Sequence, residues 1–306
     1  MKRDLILLFF VFLGLSASAQ KTLQERLGYP KTAKLLIIHA DDLGMVHAQN
    51  TGSILAMEKG SVNSASIMVP CPWFSEIAAY AKEHPSSDFG IHLTLNSEWV
   101  YYKWRPVLGS DEVRTLVDKS GFLHADLESV DLNANAAEVE NELEAQIELA
   151  LAHGVDLTHL DTHMGALLLN PDLFLVYKRL GKRFKLPILL SKSSLENYSL
   201  PSSLLDEDDI VLDHIYTAEP KDYQSSLDTY YSNVLQNLQP GVHSILMHTA
   251  QQTHELEAAT IEHIDYGANW RQQDLDFFTS EKCKNLLKEN NIELITWREI
   301  RDKLIR

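Results

Sequence analysis

The sequence predicts an α/β protein, a (β/α) barrel related to the TIM barrel, irregular or incompletely closed. Apolar β-type runs alternate with amphipathic helical runs along the chain. That alternation implies a parallel sheet covered by helices. The count of about eight β-α units favours a closed or nearly closed barrel over an open sheet. Polar residues of similar chemistry stand where several apolar runs end, the face on which such folds place their chemistry.

The first residues lie outside that pattern. Met1-Lys2-Arg3 is a short basic start, Leu5 to Leu15 is strongly apolar, and Ala17-Ser18-Ala19 has the small-residue form of a cleavage site. This order reads as a secretory signal peptide over 1–19, with export to the periplasm or the medium. The apolar stretch is too short to span a bilayer comfortably. Residues 20–306 are then expected to form one domain, large enough to bury a core without staples.

The formal charge is −16, and no Lys/Arg cluster interrupts the acidity. Nucleic acid and, after signal cleavage, the membrane surface are disfavoured as partners. The acidic run Asp206 to Asp209 reads as a solvated loop. Cys71 and Cys283 could pair in an oxidising compartment but make no disulfide framework, and no zinc-type cysteine spacing exists. Any metal must therefore use histidine and carboxylate ligands.

The expected strands are Lys34–Ala40, Ser64–Val69, Phe89–Leu95, Leu157–Asp161, Pro187–Leu190, Ile210–Asp213, Val242–His248 and Ile292–Thr296. The first is a short apolar run of the kind found in buried parallel strands. The expected helices are Ala48–Lys59, Trp73–His84, Ala136–Ala152, Pro171–Leu180, Tyr223–Leu238 and Leu275–Glu289. In the third, Glu142-Leu143, Ile147 and Ala150-Leu151 carry the 3.6-residue repeat. Gly60, Gly154 and Gly241 fall near helix ends, as C-cap glycines do. Residues 96–135 are too long for a simple βα connection and form an insertion. It contains Trp99, Tyr101, Tyr102 and Trp104, and it leaves the C-terminal end of a strand, so it should overhang the active face.

Four polar groups end four of these strands. Asp41 and Asp42 follow the first, and His92 lies within Gly90-Ile91-His92-Leu93-Thr94-Leu95. His159, Asp161 and His163 lie within Thr158–His163, and His248 closes Ser244–His248. Adjacent carboxylates repel unless one is neutralised, and a bound cation is the simplest neutraliser. Strand alternation puts His159, Asp161 and His163 on one side. A lone histidine on an apolar strand is usually a hydrogen-bonded core residue; histidines at three separate strand ends are harder to explain that way. One Asp and two His ligands would leave open positions for water and substrate, as in a catalytic metal site.

The segments HADDLG, GIHLTL and HLDTH resemble, in order and spacing, the YdjC family of carbohydrate deacetylases, which includes the ChbG-like chito-oligosaccharide deacetylases. The resemblance covers essentially all of the chain after the signal segment. It implies a barrel-like fold distantly similar to the NodB-type polysaccharide deacetylases, and hydrolytic removal of acetyl groups from N-acetylated sugars or oligosaccharides. It implies Asp42, His92 and His163 as metal ligands, Asp41 as general base, and His248 as the acid that protonates the leaving amine. It implies one divalent metal ion and points to Mg2+; two imidazoles and a carboxylate would equally suit Zn2+. Arg105, before Pro106, resembles an arginine of a NodB motif. Arg105, Trp99 and Trp104, with Asp161 and His159, are the expected substrate-binding or supporting residues. The chain departs from many members at His39 (Asn in those), Leu43 (Phe) and Gly165 (His). The alternatives are hydrolysis of another amide or ester, or a secreted carbohydrate-binding protein without catalysis on the same fold.

Overall fold

The computed structural model describes residues 21–306; the expected signal segment, 1–19, lies outside them. Seven parallel strands form one sheet: β1 Lys34–Leu43, β2 Ser64–Ile67, β3 Phe89–Leu93, β4 Leu157–Thr162, β5 His214–Thr217, β6 Gly241–Met247 and β7 Ile292–Leu294. Their order is β4-β3-β2-β1-β6-β5, with β7 alongside the start of β1. Isolated bridges continue the path from β4. Leu160 pairs with Ile188, and Ser191 with Leu212. The Asp213 amide then donates to the Val242 carbonyl of β6 at 2.8 Å. The hydrogen-bonded path thus returns to its start, and the expected barrel is present in an irregular form.

β1 is the axis of this arrangement. Its Leu35, Leu36, Ile37 and Ile38 are fully buried. They divide between two cores because alternate side chains leave a strand on opposite faces. Leu36 and Ile38 join the larger core; Leu35 and Ile37 join a smaller one with Trp297 and Ile300. This explains a strand apolar on both faces.

The structure corrects several sequence expectations. Pro187–Leu190 and Ile210–Asp213 are not full strands but contribute single bridges. Pro187 lacks an N–H to donate, and the Asp213 carboxylate, not its backbone, receives the Val242 amide at 2.9 Å. The strand instead begins at His214. The expected helix Tyr223–Leu238 is two, Pro220–Ser225 and Leu227–Asn237. Ser226 is extended between them, and its side chain caps the second by accepting from the Thr229 amide. Ser280 likewise separates Ala268–Thr279 from Glu281–Glu289. Both breaks are N-cap serines, whose hydroxyls satisfy amides that a continuing helix would leave to its own carbonyls. Helix Ala136–Ala152 has the expected bounds, with Asn135 accepting from the Ala137 and Glu138 amides.

The 96–135 insertion folds down onto the barrel. It contains a short helix, Leu127–Asn133, and it buries Trp99, Trp104, Val113, Leu116 and Leu123. Cys71 and Cys283 are both buried and unpaired. The 206–209 loop is solvated but not free: Lys178 binds Asp206 at 2.9 Å and Asp209 at 2.5 Å. Among the described residues no helix is long and apolar enough to cross a membrane.

Candidate active site

Asp41 and Asp42 end β1 and are buried. Asp42 has φ +68°, a left-handed conformation unusual for a residue with a Cβ. Gly44 follows at φ +95°, and a Cβ there would lie 2.9 Å from the Met68 carbonyl. This sharp turn separates the two carboxylates in direction although they are adjacent in sequence. Asp42 Oδ2 accepts from Arg271 at 2.7 Å. Asp42 Oδ1 is buried and accepts no hydrogen bond. It lies 3.4 Å from His92 Nε2 and 3.4 Å from His163 Nδ1. The ligand atoms of Asp42, His92 and His163 all fall within 4.8 Å of one another. A buried carboxylate oxygen left without a donor, faced by two imidazole nitrogens, has the chemistry of a divalent-cation cradle.

Each imidazole is oriented from behind by a carboxylate. His92 Nδ1 meets Asp161 at 2.7 Å, and His163 Nε2 meets Glu98 at 3.0 Å. Such outer partners fix the ring and its tautomer. Burial alone would lower the His163 pKa, but Glu98 and Asp42 together push it up to about 10. Burial would raise the pKa of Asp42, yet Arg271 above all, then His163 and His248, hold it well below the usual carboxylate range.

Asp41 faces a different environment. Its Oδ1 lies 3.1 Å from His39 Nε2, and the Ser66 hydroxyl donates to it at 3.4 Å. His39 also meets Asp161 at 2.9 Å, and its other nitrogen meets the Ser64 hydroxyl at 2.8 Å. His39 therefore ties Asp41 and Asp161 together. Burial would lower its pKa; hydrogen bonds to Asp161 and Asp41 push it up to about 10.

His248 follows β6 and lies 3.8 Å from Asp42 Oδ2. Its backbone amide donates to Asp274 at 3.0 Å, and Tyr231 donates to the other Asp274 oxygen at 2.8 Å. Burial lowers the His248 pKa to about 4, and Arg271 adds to this against Asp42. Burial raises Asp274 to about 7.

These groups meet at a cavity of about 790 Å3 above the C-terminal strand ends, bordered by Trp99, Met164, Tyr198, Tyr266 and Arg271. The expected centre is thus brought together: Asp41, Asp42, His92, Asp161, His163 and His248 all line it, as does Trp99. Three expected residues fall elsewhere. Arg105 donates to the Gly121 carbonyl at 3.1 Å and stacks on Phe122 at 4.5 Å, an arrangement internal to the insertion. Trp104 is buried, donates to the Asn96 carbonyl at 2.8 Å and, without bordering the cavity, stands edge-on to the His163 ring with the centroids 6.2 Å apart. His159 shares the face of Asp161 but lies deeper, stacked on Trp297 at 5.3 Å and close to His39 at 4.9 Å. Burial lowers its pKa well below 6.5, as befits a neutral core imidazole.

Sequence reasoning missed Arg271, Glu98, Asp274 and the bridging part of His39. Arg271 donates to Asp42 and, at 2.9 Å, to Gln49, which in turn donates to the Asp41 carbonyl at 2.8 Å. Arg271 lies in the Ala268–Thr279 helix, ahead of the helix start expected at Leu275. At Gly165, φ is +74° and a Cβ would collide with the Tyr198 hydroxyl, so Tyr198 fills the space beside it.

Fold and site together define a class: an irregular parallel α/β barrel whose strand ends carry a carboxylate–diimidazole centre. The sequence profile of the YdjC-like proteins matches residues 35–289, and the chain belongs to that family. A carbohydrate deacetylase of Thermus thermophilus is 33% identical over 293 residues, covering 92% of this chain and 99% of its own. A carbohydrate deacetylase of Thermoanaerobacter pseudethanolicus is 25% identical over 273 residues, covering 86% and 98%. The crystal structure of a candidate cellobiose-phosphate cleavage protein from Enterococcus faecalis is similar with a TM-score of 0.72 at 25% identity, covering 88% and 99%.

Proposed function

We propose that this chain is a metal-dependent hydrolase that removes acetyl groups from N-acetylated sugars or oligosaccharides. The observation that carries the reading is the orphaned, buried Asp42 Oδ1 between His92 and His163. Similarity to carbohydrate deacetylases over nearly the whole chain supports the substrate class. A divalent cation held by Asp42, His92 and His163 would supply a Lewis acid for the acetyl carbonyl and would acidify water. Asp41, outside that ligand set, is the general base. His39 and Ser66 fix its carboxylate, so that it meets an attacking water without reorganising. His248 borders the same cavity and is the proton donor to the leaving nitrogen. With its pKa lowered to about 4 it is neutral at rest, so it acts as a relay: the proton that Asp41 takes from the attacking water passes through it to the leaving nitrogen as the C–N bond breaks.

The cavity wall carries seven Asp or Glu side chains against two Lys or Arg, and Arg271 is already engaged by Asp42. Neutral sugars are therefore favoured over anionic ones. Acetate release from a panel of N-acetylated sugars, before and after chelation and with metal restored, tests the reading. Loss on chelation and recovery with metal is the expected result. Retention of sugar without acetate release would favour a carbohydrate-binding protein.

A further inference from the structure

A second cleft, of about 370 Å3, opens beside the main cavity over the Pro220–Ser225 and Leu227–Asn237 helices. Tyr216, Asp222 and Tyr230 border both spaces, so the outer cleft adjoins the cavity that Asp42, His92 and His163 line. Ser226, at the break between the two helices, lies in the wall of the outer cleft. Its wall is nearly uncharged. Asp222 is the one ionisable acid in it, and that carboxylate is occupied as a helix cap, accepting from the Glu219 amide at 2.9 Å. Among the described residues, the Tyr216 and Tyr230 hydroxyls and the Asn233 side-chain amide have no hydrogen-bond partner. Thr229, Asn233 and Asn237 are exposed; Tyr216 and Tyr230 are half-buried.

Half-buried aromatic faces beside unpaired neutral donors and acceptors match one ligand chemistry well. Pyranose rings present apolar C–H faces and a rim of neutral hydroxyls. Tyrosines offer flat apolar surface with little freedom to lose, plus a polar tip. We infer that the outer cleft is a subsite for neutral sugar rings remote from the acetyl group being removed, so that the substrate is an extended oligosaccharide. This inference rests on the deacetylase reading above. Binding energy from remote rings then serves catalysis at the centre, and shorter substrates forfeit it.

The test is a ladder of N-acetyl chito-oligosaccharides of two to six rings, with acetate release and hexasaccharide affinity measured for the parent, Asn233→Ala and Thr229→Ala. Both residues are exposed and border only the outer cleft, so both variants should fold. The parent should show kcat/KM rising with length. Each variant should lose about three- to tenfold on the longest substrates while matching the parent on the shortest. Equal kcat/KM at all lengths in the parent, or equal losses on short and long substrates, overturns the subsite. Length dependence on N-acetylated peptides instead of sugars overturns it as well. If no substrate releases acetate, the deacetylase reading fails and affinity decides the subsite alone. Weaker hexasaccharide binding by Asn233→Ala then sustains it, and unchanged binding ends it.

Discussion

Asp42 holds a left-handed backbone conformation that costs an L-residue about 1–2 kcal/mol. The surroundings over-determine it: Arg271 grips one carboxylate oxygen while the other faces two imidazoles. Asp41, held by His39 and Ser66, is the base we propose. Asp41→Asn should keep the cation and lose about 10^2- to 10^4-fold in turnover; near-normal acetate release would move the base elsewhere, with Asp161 next. His39 makes a prediction of its own. Its pKa is raised to about 10 in the fold, against an ordinary 6.5. The folded protein keeps a proton that the unfolded chain gives up between those values. The resulting stability is complete below pH 6.5 and is lost as pH rises toward 10. In cation-free protein, His39→Asn should therefore show a shallower fall in Tm over that range, with His163 and His92, both also raised, contributing to the remainder. A slope identical to the parent's would show that His39 is not held charged. The meeting of Asp42, His92 and His163 was legible because each stands at or near the end of an expected strand. Glu98 and Arg271 were not. Arg271 reaches Asp42 across 229 positions, and no local pattern marks such a pairing.

At the scale of elements, the insertion after β3 has two tryptophans with different surroundings. Trp99 borders the cavity, with the Arg271 guanidinium 5.5 Å from its ring centre. Trp104 is bonded within the insertion, its indole N–H donating to the Asn96 carbonyl. Trp104→Ala should destabilise the fold by about 3–5 kcal/mol. Trp99→Phe should alter KM or kcat at near-parent Tm. The reverse pattern, from thermal melts and steady-state rates, would exchange their roles. The sequence showed that an insertion was present and that it would overhang the site. It could not tell wall from packing, because both roles call for a buried aromatic. Strand legibility divided in the same way. β1 and β6 are long apolar runs, whereas the segments at Ile188 and Leu212 contribute one bridge each and leave no periodic trace.

At the scale of the whole molecule, the barrel converges separate strand ends on one mouth, and the cleft over residues 220–237 adjoins it. We propose export for the whole chain, on the basic start, apolar stretch and Ala17-Ser18-Ala19 of the sequence. The intact mass of protein recovered from the native cell envelope should begin at Gln20; a chain retaining Met1 would contradict it. An exported enzyme would meet its substrate outside the reducing cytoplasm. Buried, unpaired Cys71 and Cys283 are consistent with a fold that does not depend on a disulfide there.

The account rests centrally on one cation held by Asp42, His92 and His163. Its most direct test is the metal content per chain of the parent and of His163→Ala, purified without added metal and then titrated with Zn2+ and Mg2+, beside acetate release from the same samples. The expected result is one divalent ion per parent chain, with both ion and activity lost from folded His163→Ala. A variant that binds the ion as tightly as the parent, or a parent fully active with no ion, would contradict the assignment.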